Sequence, residues 1–554
     1  MKKTVNSAAP PAEVSYDMRS RFDWLVLTGF GGFLFFFGLG YFGLVGADEP
    51  RYAQVAREMF ARHDWITPTL GGLPWLEKPV FYYWEAMLSY SVFGVSDWAA
   101  RLPSAADATV LVVGIYLFLR RFCRGYELDG ALITASSAAV IGFARAASTD
   151  MPLAAMFGVA MLAWYAWCKG QSRKHLSLFY VFLGFATLAK GPVAPFLAGL
   201  IILIFSVTSR NAAAIWRTLW IPGILVFCVV TLPWYIAVQV RNPEFVRVFF
   251  IEHNLARFGT TLYHHIQPFW YFVPVAIASL VPWIVIEVRA LIRVAREWWT
   301  NKREPATSAG TLPVFLLIWF VVPIVFFSIS KSKLPGYILP ALPAASLLVV
   351  ALVARTQRQG IRFGTVAIIM HSLLAGGLLL PAFMIRYIVI QHRLPWNRAA
   401  AVSSAIAMVA AAMIAVGLYR RQNIRMLRVL TMLPVLLAVA IILRIGAPAL
   451  DETLSARPVA NEINLLSAKR LPLAVFKVSR ETEFGLAFYR DQIISRYEFG
   501  SVPREEHLVI APSGSQAEVA KRVAERRVSY LGSFAAQRLE YYWVSPESSR
   551  NPRP

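Results

Sequence analysis

Apolar runs of about 20 residues recur along the chain and limit what it can fold into. Each run ends at charged residues or at Pro and Gly, and about 20 apolar residues are needed for a helix to cross a bilayer. The 554 residues are 57% hydrophobic and 16% charged, whereas soluble domains carry about 25% charged residues. We therefore predict a polytopic α-helical membrane protein with about 13 transmembrane helices, near residues 23–45, 104–119, 128–147, 152–168, 176–189, 192–208, 218–240, 269–291, 311–329, 335–354, 363–385, 399–419 and 429–447.

Lysine and arginine account for the net charge of +23, and their placement orients the spans. Basic clusters precede the first span and follow the second, fourth, eighth, tenth and twelfth. All of these lie on one side if the spans alternate, and positively charged loops stay in the cytoplasm. This pattern explains the charge without a nucleic-acid partner and leaves anionic membrane lipids as partners.

The alternation places two long loops, 46–103 and 241–268, on the outer face together with the C-terminus. Residues 1–450 form the predicted transmembrane domain. Residues 451–554 are more charged and have no 20-residue apolar run, so we predict a small α/β domain outside the membrane. Its predicted strands and helices are Leu471–Val478, Leu508–Ala511, Val528–Phe534, Ala456–Lys469 and Gln516–Arg526. Ser515 and Glu518 have the spacing of a capping box at the start of the last helix.

Two acidic residues at the outer face are candidate catalytic groups. Asp48 follows the first span, and Asp150 lies in the tight turn between spans three and four. A carboxylate at such a position can act as a base or orient a ligand. A cluster that merely stops a helix explains Asp48 equally well, and an N-terminal cap of the next span explains Asp150.

Several basic residues lie on the outer side, against the positive-inside tendency. Lys331 and Lys333 stand before Pro335 and Tyr337, where the chain re-enters the membrane, and Lys78 lies in the first long loop. Cations placed in this way are explained by an anionic ligand, and a lipid phosphate fits. The alternative is an ordinary loop with stray lysines for Lys331 and Lys333, and a local surface ion pair for Lys78. A further outer lysine, Lys190, precedes Gly191-Pro192 and is explained by a simple helix break.

Together these motifs resemble the bacterial aminoarabinose transferases that modify lipid A, which belong to the lipid-phosphate-sugar-dependent glycosyltransferases of the GT-C fold. The stretch Lys331 to Tyr337, read as Lys-x-Lys-Leu-Pro-x-Tyr, is its most specific part, and Pro50 departs from the Thr that the family often carries. The matching segments, in chain order, are 48–53, 64–66, 77–79, 252–253, 257–258, 265, 268–271 and 331–337.

The resemblance implies a reaction and a location. The donor would be undecaprenyl phosphate carrying 4-amino-4-deoxy-L-arabinose, and the acceptor a phosphate of lipid A. Transfer would occur at the periplasmic face of the bacterial inner membrane, where the C-terminal domain would also lie, and would confer resistance to polymyxin and cationic peptides. Asp48 would be catalytic, and the residues that bind the donor phosphate would be Arg51, Lys78, Lys331, Lys333 and Tyr337. Asp150 is a second catalytic candidate by its position alone.

A divalent metal such as zinc is one hypothesis for the two long loops. Glu77 on the first loop and His253 or His265 on the second are suitable ligands, although two or three ligands fall short of a structural zinc site. The other hypothesis is that these side chains bind one another or the sugar amine. We predict no nucleotide cofactor, because no glycine-rich nucleotide motif is evident and a lipid-borne sugar needs none.

Two other functions fit parts of the pattern. One is a different GT-C enzyme, which transfers mannose or another lipid-phosphate sugar to a protein or glycan. The other is a lipid transporter. Transporters typically place charges in mid-span and show paired hydropathy repeats. The charged motifs here concentrate at the outer surface, which favours an enzyme.

Overall fold

The computed structural model describes residues 12–256, 267–300, 311–356, 363–466, 471–500, 502–524 and 526–546. The helices up to the second long loop are α1 Ala12–Gly31, α2 Asp48–Ala61, α3 Phe81–Phe93, α4 Asp97–Phe122, α5 Glu127–Ala135, α6 Ala138–Ala144, α7 Asp150–Gly170, α8 Arg173–Lys190, α9 Val193–Thr208, α10 Ala213–Thr218 and α11 Ile221–Arg241. Those that follow are α12 Phe272–Ser279, α13 Ile284–Thr300, α14 Thr311–Ile329, α15 Leu342–Thr356, α16 Thr365–Gly377, α17 Leu379–Gln391, α18 Arg398–Arg420, α19 Ile424–Ile441, α20 Ala447–Leu454, α21 Arg457–Leu466, α22 Arg480–Arg490 and α23 Gln516–Val523.

Within the described ranges, seven helices are long and apolar enough to cross a membrane. They are Asp97–Phe122, Asp150–Gly170, Ile221–Arg241, Thr311–Ile329, Pro335–Arg355, Arg398–Arg420 and Ile424–Leu454. Two bent pairs, α5 with α6 at 67° and α16 with α17 at 41°, raise the number to nine if each pair is one span. The mostly helical membrane architecture therefore agrees with the prediction, while the finer count of about 13 stays a prediction.

The first predicted span is shorter than expected. Helix α1 and a following π-helical turn end at Phe36, whereas the apolar run continues to residue 45. Gly38 adopts a positive φ of 69°, a conformation that glycine tolerates without strain. The chain then runs outside any helix until α2 begins at Asp48.

Helix α7 forms the centre of the membrane bundle. Sixteen of its 21 residues are buried, and it packs against α4, α8 and the 3₁₀ segment Pro335–Ala341. Trp164 and Tyr165 of α7 stack with Phe315 of α14 at centroid separations of 5.7 and 4.8 Å. The first residue of this buried helix is Asp150.

The C-terminal part contains a five-stranded mixed sheet of order β4-β3-β5-β7-β6. The bounds are β3 Leu473–Val475, β4 Ser495–Arg496, β5 His507–Pro512, β6 Val528–Phe534 and β7 Leu539–Val544. A short hairpin of β1 Thr69–Leu70 and β2 Leu73–Pro74 precedes them in the chain. Strands β3, β4 and β5 are parallel, and β7 is antiparallel to β5 and β6. The domain boundary at residues 450 and 451, and the periplasmic location, stay predictions.

The predicted capping box in this part is wrong. Ser515 precedes α23, but its side chain makes no capping hydrogen bond. Glu518 instead pairs with Lys477 at 2.5 Å, since the loop after β3 brings a cation within reach. The spacing of Ser515 and Glu518 alone did not show that Lys477 would bind Glu518.

Candidate active site

Asp48 is the first residue of α2, and its side chain is exposed. Its side chain is 55% exposed and pairs with Nη2 of Arg51, one turn later, at 2.5 Å. The Arg51 guanidinium is 13% exposed and lies 5.0 Å from the Tyr52 ring and 5.5 Å from the Trp75 ring. Burial opposes its charge, but Tyr52, Asp48 and Glu77 raise the pKa of Arg51 overall. Asp48 is therefore open to a ligand beside a fixed cation.

The adjacent Glu49 has a structural role. It accepts hydrogen bonds from Nε and Nη2 of the buried Arg101 at 3.0 and 2.7 Å. It also accepts from the backbone N–H groups of Val45 at 2.8 Å and Ala147 at 2.7 Å. One buried carboxylate thus ties the segment before Asp48 to the turn that leads to Asp150.

Asp150 begins α7 and forms an ion pair with Lys190 at the end of α8. The Lys190 ammonium lies 5.0 Å from the centroid of the Tyr337 ring. Gly336 packs against the same carboxylate so closely that an added Cβ would overlap it. Thr149 occupies the N-cap position of α7 without a side-chain capping hydrogen bond, and the carboxylate of Asp150, the next residue, is held by the ion pair with Lys190.

Tyr52 connects the two acidic residues electrostatically. Its ring is buried, and burial together with the charges of Asp48 and Asp150 raises the pKa of Tyr52. The neighbouring Tyr83 is also buried, and its hydroxyl has no hydrogen-bond partner among the described residues. Burial, Tyr52 and the carboxylates of Glu77 and Asp48 raise the pKa of Tyr83. The two acids therefore face one region that contains uncharged phenols.

The lysines predicted to bind phosphate differ in their surroundings. Lys331 is exposed and Lys78 is partly buried. Lys333 is only 5% exposed and donates hydrogen bonds to the carbonyls of Gln267 at 3.0 Å and Ser330 at 2.5 Å. Burial lowers the pKa of Lys333. Lys333 thus braces the loop backbone, while Lys331 presents its ammonium to solvent.

The predicted metal ligands meet in part. Nε2 of His253 and Oε1 of Glu77 are 3.8 Å apart, so the two long loops do converge. His265 lies outside the described residues. In the described ranges, no group of three or more His, Cys, Asp or Glu side chains is arranged to hold a metal ion. Carboxylate and imidazole suit zinc, but the pair is an incomplete ligand set.

The overall architecture is a helical membrane fold that resembles a solved structure. The crystal structure of ArnT from Cupriavidus metallidurans bound to undecaprenyl phosphate superimposes with a TM-score of 0.74, covering 94% of this chain and 98% of that chain. The two sequences are 24% identical, so this comparison establishes the fold.

Sequence comparison points to particular relatives. The chain is 32% identical over 339 residues to an undecaprenyl phosphate-alpha-4-amino-4-deoxy-L-arabinose arabinosyl transferase from Pseudomonas fluorescens, covering 60% of this chain and 56% of the relative. It is 33% identical over 349 residues to the enzyme of that name from Pseudomonas aeruginosa, covering 61% of each. The chain thus spans under two thirds of these relatives. The family of dolichyl-phosphate-mannose-protein mannosyltransferases matches residues 77–236.

Proposed function

We propose that this protein transfers 4-amino-4-deoxy-L-arabinose from undecaprenyl phosphate to a phosphate of lipid A. The observation that carries the proposal is that Asp48, paired with Arg51, and Asp150, paired with Lys190, begin helices α2 and α7 and both act on the buried Tyr52. The names of the sequence relatives support the donor. The names of the fold neighbours add no weight to it at 24% identity.

The chemistry of the two substrates suits this site. A lipid A phosphate is already anionic and nucleophilic, so it needs no base to remove a proton. Asp48 would then orient the donor or bind its amine, and nearby cations would offset its repulsion toward phosphate. The N-terminal ends of α2 and α7 carry partial positive charge, which also favours a phosphate between them.

The proposal includes a location. The outer-face loops and the α/β unit would lie in the periplasm, with about 13 spans in the inner membrane, as the distribution of basic loops suggests. Modification of lipid A phosphate with an aminosugar lowers its negative charge. Resistance to polymyxin and cationic peptides would follow.

A second candidate is transfer of mannose or another lipid-phosphate sugar to a protein, because the mannosyltransferase family matches residues 77–236. A protein hydroxyl must lose a proton during transfer, so Asp48 would act as a base in that reaction. The two candidates therefore assign different roles to the same carboxylate and different products to the reaction.

Mass spectrometry of lipid A distinguishes the candidates. We expect lipid A from cells that make the protein and the aminoarabinose donor to carry an added aminopentose, and lipid A from cells with the Asp48→Asn variant to lack it. Unmodified lipid A in both strains, with the sugar found on a protein instead, would overturn the proposal.

The two neighbouring lysines should respond differently to alanine substitution. Lys331→Ala is expected to raise the KM for the lipid donor about tenfold, since a charge-assisted hydrogen bond contributes about 1.5–3 kcal/mol, and to leave the melting temperature unchanged. Lys333→Ala should lower the melting temperature, because the carbonyls of Gln267 and Ser330 lose their donor. Equal effects on KM and no effect on melting would contradict this division of roles.

Removal of divalent metal is expected to leave sugar transfer largely intact. A catalytic zinc site typically uses three protein ligands, and only Glu77 and His253 meet within the described residues. Activity would be measured after exhaustive EDTA treatment, with elemental analysis of the same sample. Loss of activity that zinc restores and magnesium does not would show that the ion is a cofactor.

A further inference from the structure

The C-terminal α/β unit forms hydrogen bonds with the segment that leads into Asp48. Arg457 donates from Nη1 to Asp97 Oδ2 at 2.8 Å and to the Gly40 carbonyl at 3.0 Å. Its Nη2 donates to Asp451 Oδ2 at 2.8 Å and to the Tyr41 carbonyl at 3.2 Å. One guanidinium therefore holds two carboxylates and two backbone carbonyls.

Tyr489 completes the arrangement from α22. Its hydroxyl donates to Asp97 Oδ1 at 2.6 Å and accepts the backbone N–H of Leu44 at 2.7 Å. The next N–H toward the N-terminus, that of Gly43, donates to Asp451 Oδ1 at 2.7 Å. We call Asp97, Asp451, Arg457 and Tyr489 the outer clasp.

The fit between clasp and segment is close. A Cβ on Gly43 would overlap the side chains of Ser455, Tyr489 and Arg457. Val45 also pairs with Ser455 in an antiparallel bridge. The backbone of residues 40–45 therefore has no room to shift while the clasp is closed.

A second contact holds α2 itself. Arg57 pairs with Asp491 at 3.0 Å and donates to the carbonyl of Phe488, and its guanidinium lies 5.6 Å from the Phe488 ring. Helix α22 thus contacts both the chain that enters α2 and the body of α2. Asp48 lies between these two attachments, three residues after Val45 and nine before Arg57.

We propose that the α/β unit acts as a positioning element, and that Tyr489 and Arg457 set the placement of Asp48 for sugar transfer. This inference rests on the proposed function. The clasp contacts the backbone of Gly40, Tyr41, Gly43 and Leu44, so it would act on Asp48 through the backbone that leads to it. Small displacements of a reacting group lower the rate of the chemical step more than they weaken substrate binding.

The test compares two tyrosines of the same unit in the purified full-length protein. Tyr489→Phe removes the hydrogen bond from the Leu44 N–H and the one to Asp97, and is expected to lower kcat about tenfold with KM within about twofold. Tyr541→Phe is the matched control, because Tyr541 also donates its hydroxyl to a carboxylate, Glu462 at 3.1 Å, but within the α/β unit, and is more deeply buried than Tyr489. We expect it to leave kcat unchanged.

Two further readouts separate positioning from stability. Backbone hydrogen exchange of residues 40–48 should accelerate about tenfold in Tyr489→Phe, since the Leu44 N–H loses its acceptor, and should not change in Tyr541→Phe. Arg457→Lys, which keeps the charge, should retain more kcat than Arg457→Ala.

Each proposal fails in its own way. An active wild-type protein whose Tyr489→Phe variant keeps full kcat, or loses no more than Tyr541→Phe, would overturn the clasp inference alone. A wild-type protein that transfers no aminoarabinose would overturn the proposed function, and unchanged exchange at residues 40–48 would then also overturn the clasp.

Discussion

Asp48→Asn is expected to lower sugar transfer by at least about 100-fold and to leave the melting temperature almost unchanged. The carboxylate is 55% exposed and pairs with Arg51 on its own helix, so the fold does not depend on its charge. An amide keeps the shape but cannot balance a cationic amine or accept a proton. Transfer would be measured with purified protein, donor lipid and lipid A.

A matched control comes from the second long loop. Glu244 and Arg247 form a pair of the same i, i+3 spacing at 2.7 Å, with both side chains exposed. Glu244→Gln removes a similar surface charge and should retain activity. Asp150→Asn should have a milder effect than Asp48→Asn, because an amide can still accept a hydrogen bond from Lys190. Substantial transfer by Asp48→Asn would remove Asp48 from any catalytic role.

Glu49→Gln, at the next residue, should affect stability and not transfer. We expect it to destabilise the fold by about 3–5 kcal/mol. It leaves Arg101, whose side chain is 1% exposed, without its charge partner. The amide also weakens the hydrogen bonds to the N–H groups of Val45 and Ala147. A lower melting temperature in detergent, with less folded protein recovered, is the expected measurement.

The two predictions together test whether the adjacent acids Asp48 and Glu49 have different roles. If Glu49→Gln had the same melting temperature as the wild type, the buried ion pair would contribute little to stability. If its folded fraction were also inactive, Glu49 would act in transfer and the division between the two residues would be wrong.

Hydrophobic runs were sufficient to predict a helical membrane protein, because a lipid-embedded backbone must satisfy its own hydrogen bonds within helices. They did not locate helix ends. The apolar run that continues to residue 45 leaves helix at Phe36, since contacts from residues more than 400 positions away hold that segment. Such contacts leave no periodic signal in the sequence.

Residues of the candidate site could be predicted where short motifs contain several charged side chains. They could not be predicted where the partner of a side chain lies far away in the sequence. Asp48 with Arg51, and Glu77 with His253, were singled out by residue type, and each pair meets. Lys190 was not, because its partner Asp150 lies 40 residues earlier. Tyr83 carried no signal at all beyond its aromatic neighbours.

The sequence also did not show which of the two adjacent acids, Asp48 or Glu49, is buried. Consecutive residues point about 100° apart on a helix of 3.6 residues per turn, so only one of the two carboxylates can face a given partner. Which one turns inward depends on Arg101, 52 residues away in sequence. An arginine near the start of an apolar span was the available signal, because such charges require a partner.

The burial of Arg101 also constrains how the protein is assembled. Its guanidinium is surrounded by Glu49 and by the carbonyls of Leu39, Phe42 and Gly43. All of these precede α4 in the chain and lie outside the membrane-crossing helices. Until they are in place, the end of α4 that holds Arg101 carries a charge that lipid does not solvate. We therefore expect insertion of α4 into the bilayer to depend on folding of the segment that precedes it, so that substitutions in that segment would also lower the yield of membrane-integrated protein.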